Sequence, residues 1–170
     1  MTRGVDAEHA DRVARLVRNR GAACVRVFGS SMLPWICPGD VLVIRRTDMR
    51  AISPGEVVLF ARKGRLFIHR VVRKYAAESE PFLVTKGDAV AHTDGPVLQS
   101  EFLGRVALIH RSAQQQIDLE GPARLALGRL LSRLSVFSGY WFPVACLVRR
   151  SGQLLSKRLA QWAGASRRTA

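Results

Sequence analysis

The sequence predicts a mostly β domain, with a short helix before it and a basic helical region after it. Between residues 24 and 111, six segments rich in β-branched and aromatic residues are separated by Gly, Pro, Asp or Ser, which is typical of strands joined by turns. Before these segments the apolar residues follow a helical spacing, and after residue 114 leucines and arginines do the same. We therefore place the boundaries at residues 1–21, 22–113 and 114–170.

The N-terminal helix is predicted over residues 6–20. Val13, Leu16 and Val17 lie on one side of this helix, and arginines occupy other positions. Gly21 follows as a stop signal, because glycine readily adopts the left-handed conformation in which many helices end. The helix is too short to form a DNA-binding domain by itself.

The six predicted strands form a compact β domain. Two of them are entered in the same way, because Pro38-Gly39-Asp40 and Pro54-Gly55-Glu56 each lead directly into an apolar run. Proline and glycine at the centre of a turn predict two similar strand entries. The predicted strands cover residues 24–28, 41–46, 56–62, 66–75, 81–87 and 102–111.

The C-terminal region carries most of the excess positive charge. The chain has 27 basic and 13 acidic residues, a net charge of +14. Residues 121–170 contain nine basic residues and no acidic one, which leaves 18 basic and 13 acidic residues, a net charge of +5, in residues 1–120. This region predicts basic amphipathic helices and a polyanionic partner. This partner is either an anionic membrane surface or nucleic acid, and composition does not choose between them. The amphipathic pattern makes us favour the membrane surface.

The sequence contains no signal for export that we recognise. The N-terminus lacks the apolar core of a secretory signal, and the longest uncharged run, residues 134–148, is interrupted by Pro143 and shorter than a membrane-spanning helix of about 20 residues. We therefore expect a location in the cytoplasm or on the surface of the cytoplasmic membrane. Cys24, Cys37 and Cys146 form no CxxC pair, so we expect reduced thiols rather than disulfides or a zinc site.

Residues 28–40 hold the motif with the most chemical information, Phe-Gly-Ser-Ser-Met-Leu-Pro-Trp-Ile-Cys-Pro-Gly-Asp. A serine hydroxyl becomes a nucleophile only when a base removes its proton, so it needs a rigid turn and a base from another strand. This segment resembles the nucleophile box of the type I signal peptidases and of the self-cleaving SOS-repressor proteases. The resemblance implies that Ser31 is the nucleophile and that Met32 and Pro34 shape its turn. A serine-rich hairpin connection is the alternative when this motif is taken alone.

Gly29 departs from the usual signal-peptidase pattern. In that family the residue two positions before the nucleophile is usually a serine whose hydroxyl helps to bind the oxyanion, whereas the SOS-repressor proteases have a glycine there. The resemblance then implies an oxyanion site made by the backbone N–H of Ser31, with Ser30 as a helper. The loss of one such donor can lower the rate by about 10²–10³.

The candidate base is His69, which lies in the predicted strand 66–75. Phe67, His69 and Val71 share one face of this strand, and an imidazole on an apolar face tends to stay neutral and able to accept a proton. Most bacterial signal peptidases and the SOS-repressor proteases have a lysine here. The His-Arg-Val sequence instead resembles the Ser-His-Asp branch found in archaea, in the endoplasmic reticulum and in some spore-forming bacteria. A core histidine without a catalytic role is the alternative.

The third motif is Thr85-Lys86-Gly87-Asp88, followed six residues later by Asp94. It resembles the same branch, and this resemblance implies that Asp94 orients the imidazole while Asp88 is a supporting or alternative acid. One carboxylate is sufficient to hold the tautomer of the base and to stabilise the imidazolium. The sequence leaves the choice between the two open. We interpret Lys86 as a loop lysine and not as a base.

The resemblance covers roughly residues 24–110 and predicts a signal-peptidase-like serine endopeptidase. Its substrate would be an extended leader or preprotein segment with small side chains near the scissile bond, and no cofactor or metal is implied. Two alternatives remain: a weak or inactive relative that only holds a peptide, and a membrane-surface adaptor that acts through residues 121–170. The sequence does not predict the oligomeric state.

Overall fold

The computed structural model describes residues 3–75, 80–112, 115–119, 121 and 126–130 of the chain. In chain order it contains one α-helix, seven strands and one short 3-10 turn. These are α1 (Arg3–Arg20), β1 (Ala22–Arg26), β2 (Val41–Arg45), the 3-10 turn (Met49–Ala51), β3 (Val57–Arg62), β4 (Arg65–Tyr75), β5 (Phe82–Lys86), β6 (Phe102–Ser112) and β7 (Gln115–Asp118).

Helix α1 confirms the predicted N-terminal helix and begins three residues earlier than predicted. Val13 and Val17 are buried against the sheet, as their spacing predicts. The helix ends at Gly21, whose φ is 77° and whose N–H donates to the carbonyl of Val17 at 3.0 Å. None of the helices in the described part of the chain is long and apolar enough to cross a membrane.

The strands form one antiparallel sheet in the order β1-β2-β6-β3-β4-β5, and β7 pairs with β6. The predicted mostly β fold is therefore confirmed. The two longest strands each pair with different neighbours along their length, because β6 contacts β2 in one half and β3 in the other, and β4 contacts β3 in its first half and β5 in its second.

The sheet has a hydrophobic cluster on each face. One cluster contains Val17 of α1 and Leu59 of β3, and the other contains Phe60 of β3 and Val71 of β4. Consecutive residues of a strand point to opposite faces, so β3 contributes to both clusters and is buried from Val57 to Phe60. The central strands are thereby held from both sides, and they support the residues of the candidate site.

The two predicted Pro-Gly-acid turns are alike in detail. Gly39 and Gly55 have φ values of 93° and 99°, which glycine adopts without strain. In each turn the acidic side chain accepts a hydrogen bond from the backbone N–H three residues earlier, at 2.9 Å for Asp40 and at 2.6 Å for Glu56. The similar sequences therefore build similar strand entries.

The sheet continues past the predicted domain boundary at residue 113. Strand β7 pairs with β6 through Ile117 and its neighbours, within the region that we predicted to be helical. Residues 126–130 are helical, and a Cβ placed on Gly128 would lie 2.5 Å from the carbonyl oxygen of Gly55, so this segment packs closely on the second Pro-Gly turn. Most of the predicted helical region, with Cys146, lies outside the described residues, and the division into domains stays a prediction.

Candidate active site

Ser31, His69 and Asp94 form one continuous chain of hydrogen bonds. The Oγ of Ser31 lies 3.0 Å from Nε2 of His69, and Nδ1 of His69 lies 2.6 Å from Oδ2 of Asp94. An ionised carboxylate can only accept hydrogen bonds, so Nδ1 carries the proton of a neutral imidazole. The lone pair of Nε2 then faces the Ser31 hydroxyl, which is the arrangement that a base for this hydroxyl requires.

Ser31 lies on a tight turn that follows β1. The N–H groups of Trp35 and Ile36 both donate to the carbonyl of Met32, at 3.1 Å and 3.0 Å. Met32 and Ile36 are almost fully buried, so the turn is anchored in the core while Ser31 stays partly exposed. The Leu33–Pro34 peptide bond is cis. Met32 and Pro34 thus lie in the turn that the sequence assigns to them.

His69 is held by the sheet and by two aromatic rings. It pairs with Val58 across the β3–β4 ladder, and its ring meets those of Phe60 and Phe67 edge to face, with centroids 6.2 Å and 6.1 Å away. Only 8% of the residue is exposed. The packing leaves the imidazole little freedom to rotate away from Ser31.

Asp94 is held by Thr85 as well as by His69. The hydroxyl of Thr85 donates to Oδ2 of Asp94 at 2.7 Å, and the N–H of Asp94 donates to the carbonyl of Thr85 at 2.8 Å. Burial alone would raise the pKa of the Asp94 carboxyl, but the hydrogen bonds from His69 and Thr85, with the nearby charge of Arg62, hold this pKa below its usual value. The carboxylate is therefore ionised at neutral pH.

Asp88 has a different partner. Both of its oxygens accept hydrogen bonds from Arg70, at 2.8 Å and 2.7 Å, and each of the two side chains is only 8% exposed. Arg70 also donates to the carbonyl of Gly55 at 2.9 Å. Of the two candidate acids, the structure thus brings Asp94 to the imidazole and engages Asp88 in a buried ion pair with the residue that follows His69.

The segment after β5 contacts the Ser31 turn directly. The N–H of Ala89 donates to the carbonyl of Ser31 at 2.8 Å, and a Cβ placed on Gly87 would lie 2.7 Å from that same carbonyl oxygen. Such a distance is too short for a side chain, so position 87 requires glycine for this close approach. Hydrogen bonds and packing therefore connect the motif at residues 85–94 to the serine.

Lys86 differs from its interpretation as a loop lysine. It is the last residue of β5 and is buried directly after buried Thr85, so it departs from the alternation of the strand. Burial lowers the pKa of its ammonium group, and the charge of Asp88 opposes this shift. Among the residues that the structure describes, no group of three or more His, Cys, Asp or Glu side chains is placed to hold a metal ion.

A cleft of about 730 Å³ leads to Ser31 and His69. One wall is formed by residues 25–29, which are the last two residues of β1 and the three that follow it, and the other by residues 65–69 in the first half of β4. Within the described part of the chain both walls present strand edges without a ladder partner, because β1 pairs only with β2 and β5 covers β4 only from Arg70 onward. The gap between these edges has the shape of a groove for an extended peptide.

Three residues contribute to this site without having been predicted as site residues from the sequence: Thr85, Arg70 and Gly87. Thr85 and Gly87 both lie in the motif at residues 85–88, beside the candidate acid Asp88, and that position was the available signal. The contact between Arg70 and Asp88 could not be predicted from a local motif, since the two residues are 18 positions apart.

The Peptidase S24-like family model matches residues 5–107, which contain the helix, the sheet through most of β6 and the Ser-His-Asp chain. The chain belongs to this family. This Peptidase S24-like chain is also similar to proteins named signal peptidase complex catalytic subunit SEC11. It is 36% identical over 117 residues to the Clavispora lusitaniae protein of this name, and the aligned region covers 68% of this chain and 65% of the relative.

Two further relatives with the same name come from other yeasts. The Debaryomyces hansenii protein is 34% identical over 112 residues, covering 64% of this chain and 62% of the relative. The Scheffersomyces stipitis protein is 30% identical over 117 residues, covering 68% and 65%. The Peptidase S24-like chain thus spans less than two thirds of the length of these relatives. The resemblance to signal peptidases drawn from its motifs is confirmed.

Proposed function

We propose that this protein is a serine endopeptidase of signal-peptidase type. The observation that supports this most strongly is the chain of hydrogen bonds from Ser31 through His69 to Asp94, with distances of 3.0 Å and 2.6 Å. A buried contact between His69 and Asp94 would by itself explain the lowered pKa of the Asp94 carboxyl. It would not explain why the hydroxyl of Ser31 faces the other nitrogen of the same imidazole. The family match and the names of the relatives support the same reaction class.

Acylation begins when the Oγ of Ser31 attacks the carbonyl carbon of the scissile peptide bond. The proton of the hydroxyl passes to Nε2 of His69, and Asp94 stabilises the imidazolium that forms. The tetrahedral intermediate then collapses as the C–N bond breaks, and the departing amine takes its proton from Nε2. The result is an acyl ester on Ser31 and a neutral His69.

Deacylation repeats these steps with water. His69 removes a proton from the water as it attacks the ester carbon, and it returns the proton to Oγ of Ser31 as the acid product leaves. In the part of the chain that the structure describes, the N–H of Ser31 donates no backbone hydrogen bond, so it is available to the oxyanion in both halves of the reaction. Exposed Ser30 is its neighbour and the second candidate donor.

The substrate of this enzyme is an extended segment of a leader or preprotein. The unpaired edges of β1 and β4 offer backbone donors and acceptors to such a segment on both sides, and apolar residues such as Val27 and Ile68 line the cleft. The names of the relatives support a preprotein substrate, and the resemblance to signal peptidases implies small residues near its scissile bond. We also propose that the basic region at residues 121–170 holds the protein on an anionic membrane surface.

The catalytic assignment is tested by separate Ser31→Ala and His69→Ala substitutions. Each variant is assayed with a leader peptide that carries an Ala-Xaa-Ala cleavage site, and the expected loss in kcat is about 10⁴-fold or more. Ser100→Ala is the matched control, because Ser100 is an exposed serine outside the cleft, and it should retain full activity. Wild-type cleavage by either catalytic variant would overturn the assignment.

A module that binds a peptide without cleaving it is the second candidate, and Gly29 favours it because the usual oxyanion serine is missing. A serine-reactive acylating probe separates the two functions. An active site labels at Ser31, as identified by mass spectrometry of the digested protein, and the label requires His69. A module without turnover leaves Ser31 unlabelled while it still binds the peptide.

The membrane interaction has its own test. The full chain is sedimented with vesicles that contain anionic or only zwitterionic lipids, and its binding to DNA is measured at the same ionic strength. We expect binding to anionic vesicles that weakens at high salt and is stronger than binding to DNA. Binding to DNA alone would show that the basic region serves a nucleic acid.

A further inference from the structure

The two walls of the cleft run in the same direction, from helix α1 to the Ser31–His69 pair. Strand β1 begins directly after Gly21, where α1 ends, and the wall that starts with its last two residues leads to Ser31. The wall formed by β4 begins directly after Gly64, where an added Cβ would lie 3.1 Å from the Cβ of Ala7 in α1. Helix α1 therefore closes the end of the cleft that is far from the serine.

The length of the cleft sets which substrate residue reaches this far end. His69 lies four positions after Arg65 along β4, which is about 13 Å at roughly 3.3 Å per residue. A bound peptide in an extended conformation covers the same distance with the same number of residues. The residue about four to six positions from the scissile bond therefore lies at the far end, next to α1.

The far end of the cleft is basic. Arg26, Arg65 and His9 line it, each of them exposed, and among the cleft-lining residues in the described part of the chain there is no Asp or Glu. Val25 and Leu66 belong to the hydrophobic cluster beneath α1. Because strand side chains alternate, Arg26 and Arg65 both point to the opposite face of the sheet.

Among the described residues, Arg26 and Arg65 have no carboxylate partner, whereas the neighbouring Arg62 has one. Arg62, opposite Arg65 in the β3–β4 hairpin, holds both oxygens of Glu101 at 2.6 Å, so that carboxylate is engaged. Within the ranges that the structure describes, neither the side chain of Arg26 nor that of Arg65 makes a hydrogen bond or ion pair with another residue. Two guanidinium groups on one face of a cleft are suited to bind a carboxylate.

We propose that the far end of the cleft is a subsite for an acidic side chain, about four to six residues from the scissile bond. This inference rests on the proposed function, because it requires an extended peptide in the cleft. The preferred substrate is then a leader segment with an acidic residue at that distance and apolar residues in between, where the peptide faces the cluster that contains Val25 and Leu66. A long, wholly apolar segment would leave the two arginines without a partner.

The inference is tested first by binding, in a Ser31→Ala background so that no cleavage occurs. The probes are fluorescent peptides of about twelve residues, long enough to span the cleft in either direction, capped at both ends and centred on an Ala-Xaa-Ala site. One peptide carries Glu about five residues to the amino side of this site, a second carries Glu at the same distance to the carboxyl side, and a third carries Gln at both positions.

We expect one of the two Glu peptides to bind about three- to tenfold more tightly than the Gln peptide, as two partly exposed ion pairs allow. The side on which Glu is preferred also gives the direction in which the peptide binds. Arg26→Gln and Arg65→Gln should each reduce the preference, and the double variant should abolish it. Arg73→Gln is the matched control, because Arg73 is an exposed arginine of β4 outside the cleft, and it should keep the preference. Salt of about 1 M should weaken the preference strongly relative to about 0.1 M.

Equal binding of all three peptides, or a preference that persists in the Arg26→Gln/Arg65→Gln variant, would overturn the inference. Cleavage of the same peptides by the protein with Ser31 intact separates this failure from failure of the proposed function. If the Gln peptide is cleaved as fast as the Glu peptides, the enzyme is active but the subsite is absent. If the peptides bind with the expected preference and none is cleaved, the subsite is present but the proposed activity is wrong.

Discussion

Removing one partner of the buried ion pair between Arg70 and Asp88 should destabilise this protein more than removing one partner of a more exposed ion pair. Asp88→Ala removes the carboxylate and leaves the guanidinium of Arg70 with the carbonyl of Gly55 as its one hydrogen-bond partner among the described residues. Arg70 and Asp88 are each 8% exposed at the side chain, so water cannot replace the lost oxygens. Removal of one partner from a buried pair costs about 3–5 kcal/mol, because the remaining charge stays buried.

The protein contains a matched control for this substitution. Arg62 and Glu101 also share two hydrogen bonds between a guanidinium and a carboxylate, but their side chains are 25% and 21% exposed. Water can solvate the partner that remains after Glu101→Ala, so the expected cost is about 1 kcal/mol. The two substitutions remove similar contacts, and burial is the main difference between them.

Thermal and urea unfolding of the two variants measure this difference. For a chain of this size about 1 kcal/mol changes Tm by roughly 2–4 °C, so we expect Asp88→Ala to lower Tm by about 6–20 °C and Glu101→Ala by about 2–4 °C. Replacing both Arg70 and Asp88 by leucine should recover part of the loss, since no charge then remains buried. An Asp88→Ala variant that is no less stable than Glu101→Ala would refute this reasoning.

Three further predictions concern the residues around Ser31. Asp94→Asn should lower kcat by about 10⁴, because the imidazole loses its orienting carboxylate. Since the folded protein depresses the pKa of Asp94, ionised Asp94 stabilises the fold above its usual pKa, so the Tm difference between this variant and wild type should shrink as the pH falls below about 4. Gly29→Ser should raise kcat by about 10-fold or more through an added oxyanion donor, and it should leave Tm unchanged, because an added Cβ meets nothing within 4 Å; unchanged kcat would exclude this route. Gly87→Ala should lower kcat by about 10², because the added Cβ would lie 2.7 Å from the carbonyl oxygen of Ser31 and would push the serine out of position. Wild-type kinetics in this variant would show that the close approach of residue 87 to Ser31 does not matter.

The strands of this fold could be predicted because turn residues separate them so clearly. The Pro-Gly-acid turns before β2 and β3 determine where these strands begin, and their two glycines have the positive φ that this turn needs. Strand β7 could not be predicted in the same way. Gln115 and Gln116 have no strong strand preference, and β7 forms because the end of β6 offers unpaired backbone groups.

The serine and the histidine of the candidate site could be predicted from local motifs, but the choice of carboxylate could not. Asp88 and Asp94 both follow β5, and which of them meets His69 depends on how the chain turns after Gly87. The N–H of Asp94 bonds back to Thr85, which brings its carboxylate to the imidazole. Asp88 is drawn to Arg70 instead, and that contact depends on the register between β4 and β5, which a sequence does not display.

The unpaired edges of β1 and β4 also affect how copies of this protein behave toward one another. An open strand edge is a template for any extended chain, including another copy of the same protein, and such edges lead to aggregation unless something opposes it. Here an edge-to-edge contact between two copies would bring Arg26 or Arg65 of one against the same charges of the other. The two arginines are therefore also expected to keep the free protein from self-association, so neutralising them should lower the concentration at which it aggregates.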